Sequence, residues 1–105
     1  MKKILIISKD TGQTKKFIFE LPDYLTSAQP GLIVEFAFYP DYEEMVQKGQ
    51  WDVIGLSPEL LIEGKTITPR LRELGINSPI KTIRGVHFGI RRYDLILSAL
   101  MEGVE

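Results

Sequence analysis

The chain has 105 residues, 44% of them apolar and 26% charged, which suffices for one buried core and falls short of two ordinary domains, so residues 1–105 are expected to form one domain. It has no cysteine and a single histidine, His87, which excludes disulfides, cysteine-ligated zinc, iron–sulfur clusters and thiol chemistry and disfavours a histidine metal site. The net charge of −1, from 13 Lys or Arg against 14 Asp or Glu, offers nucleic acid no general attraction; any anion site has to be local.

Lys3 to Ser8 (KILIIS) reads as a strand apolar on both faces, the pattern of an interior position in a parallel sheet. The small polar turn Lys9-Asp10-Thr11-Gly12-Gln13 follows, then an amphipathic helix from Thr14 to about Ala28 with Phe17, Ile18, Leu21 and Leu25 at helical spacing and Gln29-Pro30-Gly31 as its stop. Pro22 predicts a kink or a split in that helix, because an interior proline removes a hydrogen bond and crowds the preceding turn. Leu32 to Phe38 is a second strand. Asp41-Tyr42-Glu43-Glu44 opens a short helix ending near Gly49, its carboxylates suited to a helix amino terminus.

Asp52 to Leu56 is the third strand. Glu59 to Leu74 carries Leu60, Leu61, Ile67, Leu71 and Leu74, is interrupted by Gly64 and Pro69, and is most helical in its second half, with Gly75 as the stop. Ser78 to Ile83 gives strand four, and Arg84 to Gly89 reads as a loop. Tyr93 to Met101 gives a last helix with Leu95, Ile96, Ala99 and Leu100 on one face. Strictly alternating strands and helices imply a parallel sheet covered on both faces and joined by right-handed crossovers. No apolar run approaches the roughly 20 residues of a membrane-spanning helix, and Ile4 to Ile7 is too short for a secretory signal core. A cytoplasmic protein without membrane insertion is therefore expected.

In such a sheet, ligands sit where loops leave the carboxyl ends of the strands. Three loops converge there: Ser8 to Thr14, Ser57-Pro58, and Arg84 to Gly89 with His87 inside it. Turn amides near Gly12, the start of the following helix and the cations Lys9, Lys15 or Lys16 suit a phosphate, since free N–H groups and the helix dipole favour negative charge. Lys15 and Lys16 equally suit solvated positions on a surface helix. Neither GxxxxGK[ST] nor GxGxxG is present, so no nucleotide cofactor is expected. Ser8 as a nucleophile would need an adjacent base, and as a structural residue it would bond local backbone. His87 suits proton transfer or plain solvation. Arg84, Arg91 and Arg92 suit either a guanidinium cluster for phosphate or carboxylates, or solvated element ends. Trp51 reads as a packing residue at the rim, and Phe38, Tyr39 and Tyr42 as a cover over one end of the core or an interface.

Taken in order, KKILIIS with its polar turn, DVIGLSP, RLRELGINSPIKTI and the terminal helix resemble, over about 100 residues, the IIB component of lactose/cellobiose-type bacterial sugar phosphotransferase systems. The resemblance implies a small open sheet of four parallel strands in the order 2-1-3-4 with helices on both faces, a Rossmann-like three-layer sandwich. It also implies a cytoplasmic phosphocarrier that takes a phosphoryl group from a IIA partner onto a cysteine ending strand one, then passes it to sugar at the membrane permease IIC.

Here Ser8 holds that cysteine's position. Lys9, Thr11, Gly12, Gln13, Thr14 and Lys15 would cradle the phosphoryl group, and Ser57, Pro58, Arg84 and His87 would face the partners. Neither metal nor cofactor is implied. A thiol can be tuned to a thiolate, whereas an alkyl hydroxyl is a weak nucleophile without a base and its phosphate ester a poor donor. A carrier impaired in transfer and a binding or regulatory module both fit. A degenerate two-component receiver is the other α/β reading, on Trp51 to Leu56, with Ser57 at the place of its phosphoacceptor aspartate.

Overall fold

Ile4 to Ile7 are fully buried because β1 (Lys2–Ser8) is an interior strand with a layer of helices on each side. The computed structural model describes residues 2–104. Around β1 the sheet is parallel and four-stranded, in the order β2-β1-β3-β4, with β2 at Leu32–Phe38, β3 at Val53–Leu56 and β4 at Ile80–Thr82. The helices are α1 (Gly12–Ala28), α2 (Tyr42–Gln47), α3 (Gly64–Glu73), α4 (Gly85–Gly89) and α5 (Tyr93–Met101), with a 3-10 turn at Pro58–Leu60. No helix among the described residues is long and apolar enough to cross a membrane.

Strand alternation divides the core. Leu5, Ile7, Ile54 and Leu56 pack with Tyr42, Val46, Trp51, Leu60, Ile67 and Leu71 under α2 and α3. Ile4, Ile6 and Val53 point the other way, to Phe17 and Leu21 of α1, Phe88 of α4 and Ile96, Leu97 and Leu100 of α5. The expected order 2-1-3-4 and the helices on both faces are thus observed.

Four local expectations are corrected. α1 runs unbroken through Pro22, whose ring lies on the solvent side while Thr14, Phe17 and Leu21 form the buried stripe; packing on that stripe outweighs one missing hydrogen bond. Pro69 is likewise exposed within an α3 that already starts at Gly64. Arg84 to Gly89 is no loop, since α4 occupies Gly85–Gly89 and is held down by Phe88, which stacks on Phe17 with ring centroids 5.0 Å apart. The buried face of α5 carries Leu97 rather than Leu95 and Ala99, which are exposed. Trp51 is a packing residue, as expected, and its indole N–H donates to the Val46 carbonyl at 3.0 Å. Tyr39 and Tyr42 stack at 6.2 Å over the α2 side of the core.

Candidate functional site

The period-two alternation that sends Ile4 and Ile6 towards α1 does the same for Ser8, and Ser57, one residue beyond β3, faces the same way. Both chain exits continue the ladder: the Ser57 amide donates to the Ile7 carbonyl at 3.0 Å, and the Tyr39 amide to the Ser8 carbonyl at 2.8 Å. Thr14 lies on the buried stripe of α1, one turn above Phe17, so its hydroxyl meets the strand ends instead of solvent. Thr11 is the N-cap of α1, its hydroxyl accepting from the Thr14 amide at 3.2 Å. These placements bring hydroxyls from β1, β3 and α1 to one point at the carboxyl edge of the sheet.

Ser8 Oγ lies 2.7 Å from Ser57 Oγ, 2.8 Å from Thr14 Oγ1 and 3.2 Å from Glu59 Oε1. Thr14 Oγ1 donates to Glu59 Oε1 at 2.8 Å, and Thr11 Oγ1 lies 2.8 Å from Oε2 and 3.0 Å from Oε1 of the same carboxylate. Ser8, Thr14 and Ser57 are each wholly buried, while Glu59, in the 3-10 turn, is half-buried over them. A hydroxyl both donates and accepts whereas an ionised carboxylate only accepts, so the network ends at Glu59. No imidazole is bonded to Ser8 among the described residues, and the one group near it able to take a proton is the Glu59 carboxylate.

The cations of the turn point elsewhere. Lys9 Nζ pairs with Glu63 Oε2 at 2.8 Å; the hydrogen bond raises the lysine pKa and lowers that of Glu63. Lys15 lies 3.6 Å from Asp10 in an exposed pair. Gly12 and Gln13, both exposed, occupy the first turn of α1. Arg84 is exposed with no ion pair among the described residues, and His87 is half-buried on α4. Arg91 and Arg92 form no cluster: Arg91 reaches Glu20 at 2.6 Å and Arg92 reaches Asp94 at 3.0 Å.

The three segments converge as their sequence positions implied. A Cβ added to Gly85 would lie 3.7 Å from the Pro58 ring, and one added to Gly89 would lie 3.7 Å from Gln13 Nε2. Glu59 is the member of the cluster that sequence reasoning missed. The available signal was an acidic residue directly after Ser57-Pro58, a position in the first turn of a helix entered from the sheet edge.

This arrangement lies on the fold of a phosphotransferase-system IIB domain. The lactose-specific IIB component domain of the phosphoenolpyruvate:carbohydrate phosphotransferase system from Streptococcus pneumoniae superposes with a TM-score of 0.71 at 17% identity, covering 99% of this chain and 98% of that one. No family model and no curated protein matches the chain.

Proposed function

We propose that this chain is a IIB-type module of a sugar phosphotransferase system that docks to IIA-like and IIC-like partners in the cytoplasm without carrying the phosphoryl group. One observation carries the reading. The residue that the resemblance puts at the phosphoacceptor position, Ser8, is wholly buried and bonded into a hydroxyl cluster that ends in a carboxylate. An acceptor has to present a lone pair to phosphorus in line with its leaving group, and Ser8 is instead wrapped by Thr14, Ser57 and Glu59. The fold match over nearly the whole chain supports the docking half of the reading. Exposed Val86 and Ile90 on and beside α4, with Leu61 and Ile62 after the 3-10 turn, support it too. The receiver alternative is less favoured, because Ser57 is buried against Ser8 and the described sheet has four strands.

The test is a phosphoryl relay. The chain is incubated with phosphoenolpyruvate and a complete cytoplasmic phosphotransferase relay of the lactose type, intact mass is recorded, and IIA binding is measured by calorimetry. A saturable complex with no gain of phosphoryl mass is expected. Phosphorylation of Ser8 would make the chain a carrier after all, and absence of any complex would remove the docking role.

A further inference from the structure

The charge balance at the mouth of the site is what an anion cradle should not have. Lys9 is engaged by Glu63 and Lys15 by Asp10, Lys16 lies exposed on α1, and the Glu59 carboxylate adds a negative charge that no cation among the described residues contacts. Glu59 nevertheless sits over the amino terminus of the 17-residue α1, where a negative charge is favoured by the helix dipole. It accepts from the hydroxyls of Ser8, Thr11 and Thr14, donors that arrive from two separate elements 45 to 51 residues away in sequence. A carboxylate offers planar oxygens to hydroxyl donors much as a phosphoryl group offers its own.

We infer that Glu59 is an internal ligand of the cradle, its carboxylate occupying the place of a tetrahedral oxyanion and closing the site to inorganic phosphate and to a phosphoryl group alike. The inference rests on the docking module proposed above and explains more than the absence of a thiol does. Restoring Cys at position 8 would leave the cradle filled. An incoming phosphoryl dianion would have to displace a bound carboxylate or approach within a few ångströms of it, where like charges repel. The chain is thereby held in one charge state, with a negative group fixed at its mouth, where a working carrier would alternate between two.

Two measurements test this independently of each other. In the first, inorganic phosphate is titrated into the wild type, Glu59→Ala and Glu59→Gln, and the amide shifts of residues 11–15 are followed by NMR. The wild type is expected to show no saturable shifts, and Glu59→Ala to bind phosphate at least about tenfold more tightly. Glu59→Gln keeps the side-chain volume and an acceptor oxygen while removing the charge, so it is expected to fall between the two. It also provides a folded comparison if the alanine variant loses stability. Equal phosphate binding by wild type and variants would overturn the inference, because Glu59 would then swing aside freely. So would absence of binding to both variants, since Glu59 would then be only a structural tie between the 3-10 turn and α1.

In the second, Ser8→Cys and Ser8→Cys/Glu59→Ala are carried through the relay. In the reaction sought, the thiolate sulfur forms a bond to phosphorus as the donor's bond to phosphorus breaks and the donor group leaves with that electron pair. Only the double variant is expected to gain phosphoryl mass. Transfer to Ser8→Cys alone would overturn the internal ligand and leave the IIB reading standing. Phosphate binding to Glu59→Ala with no relay to the double variant would do the reverse, keeping the internal ligand and removing the phosphotransferase partners.

Discussion

Two regions share the carboxyl edge of the sheet and differ in almost every physical respect. The mouth, made of wholly buried Ser8, Thr14 and Ser57 with half-buried Thr11 and Glu59, is polar and internally satisfied. The rim, from Arg84 to Tyr93, is anchored by buried Phe88 and half-buried Tyr93, both against Phe17, and turns apolar and cationic groups outward between them, with Val86 59% and Ile90 61% exposed. Arg91 holds a left-handed backbone at φ 53°, a strained conformation for a side chain of that size, and its guanidinium is tied to Glu20. A region whose donors and acceptors are spent on one another has little left for a ligand, whereas one with exposed apolar surface can bury it against a partner. The difference supports a chain whose hydroxyl cluster is closed and whose flank is open.

Both regions hang on Phe17, and its truncation is the largest expected effect. The ring stacks on Phe88 at 5.0 Å, meets Tyr93 edge-on at 5.0 Å and Phe36 at 5.7 Å, and lies one turn below Thr14. Phe17→Ala is expected to cost about 3–5 kcal/mol in urea unfolding and to unfasten α4 together with the start of α1. A loss under about 1 kcal/mol would mean that mouth and rim are held independently.

Ser8→Ala is expected to cost about 1–3 kcal/mol, because it leaves the buried hydroxyls of Thr14 and Ser57 short of a partner. Arg84→Ala, at the exposed start of α4, is expected to leave the unfolding midpoint unchanged while weakening binding of a IIA-like partner in calorimetry. The two variants together sharpen the contrast: one region acts through stability, the other through association. Loss of stability in the arginine variant, or none in the serine variant, would dissolve it.

How far the sequence revealed this contrast depends on where the determining contacts lie. The interior strand was legible because Ile4 to Ile7 have no polar residue to offer solvent, and the turn after Ser8 because small polar residues cluster there. Helix α4 was not, since a five-residue segment bounded by Gly85 and Gly89 has no helical period to detect and is stabilised by the Phe88–Phe17 stack across the fold. Leu97 was misassigned on α5 because a nine-residue helix with apolar residues on most sides does not identify which face the sheet takes. Glu59 was missed for a related reason. Nothing local distinguishes it from any acidic residue opening a helix, and its partners are assembled only when β1 and β3 lie side by side.

The subtlest difference between the regions lies in how each responds to alkali. At the rim, Tyr93 donates to Glu20 at 2.7 Å, and its pKa is pushed far up, first by burial and then by that hydrogen bond. A phenol whose folded pKa lies above its unfolded value of about 10 contributes stability that is complete below that pH and is lost as the pH rises through and beyond it. At the mouth, Lys9 is also raised, by its hydrogen bond to Glu63, so its contribution is lost over the same alkaline direction. The causes separate them: Tyr93 is shifted chiefly by loss of water, which added salt does not screen, and Lys9 by a partly exposed ion pair, which salt does screen. Urea unfolding compared at pH 9 and pH 11 is therefore expected to show an alkaline loss that Tyr93→Phe largely removes at any salt. Lys9→Met is expected to remove a smaller part, and only at low salt. An alkaline loss unaffected by Tyr93→Phe would show that the Tyr93–Glu20–Arg91 contact does not hold the rim, and that α4 relies on Phe88 alone.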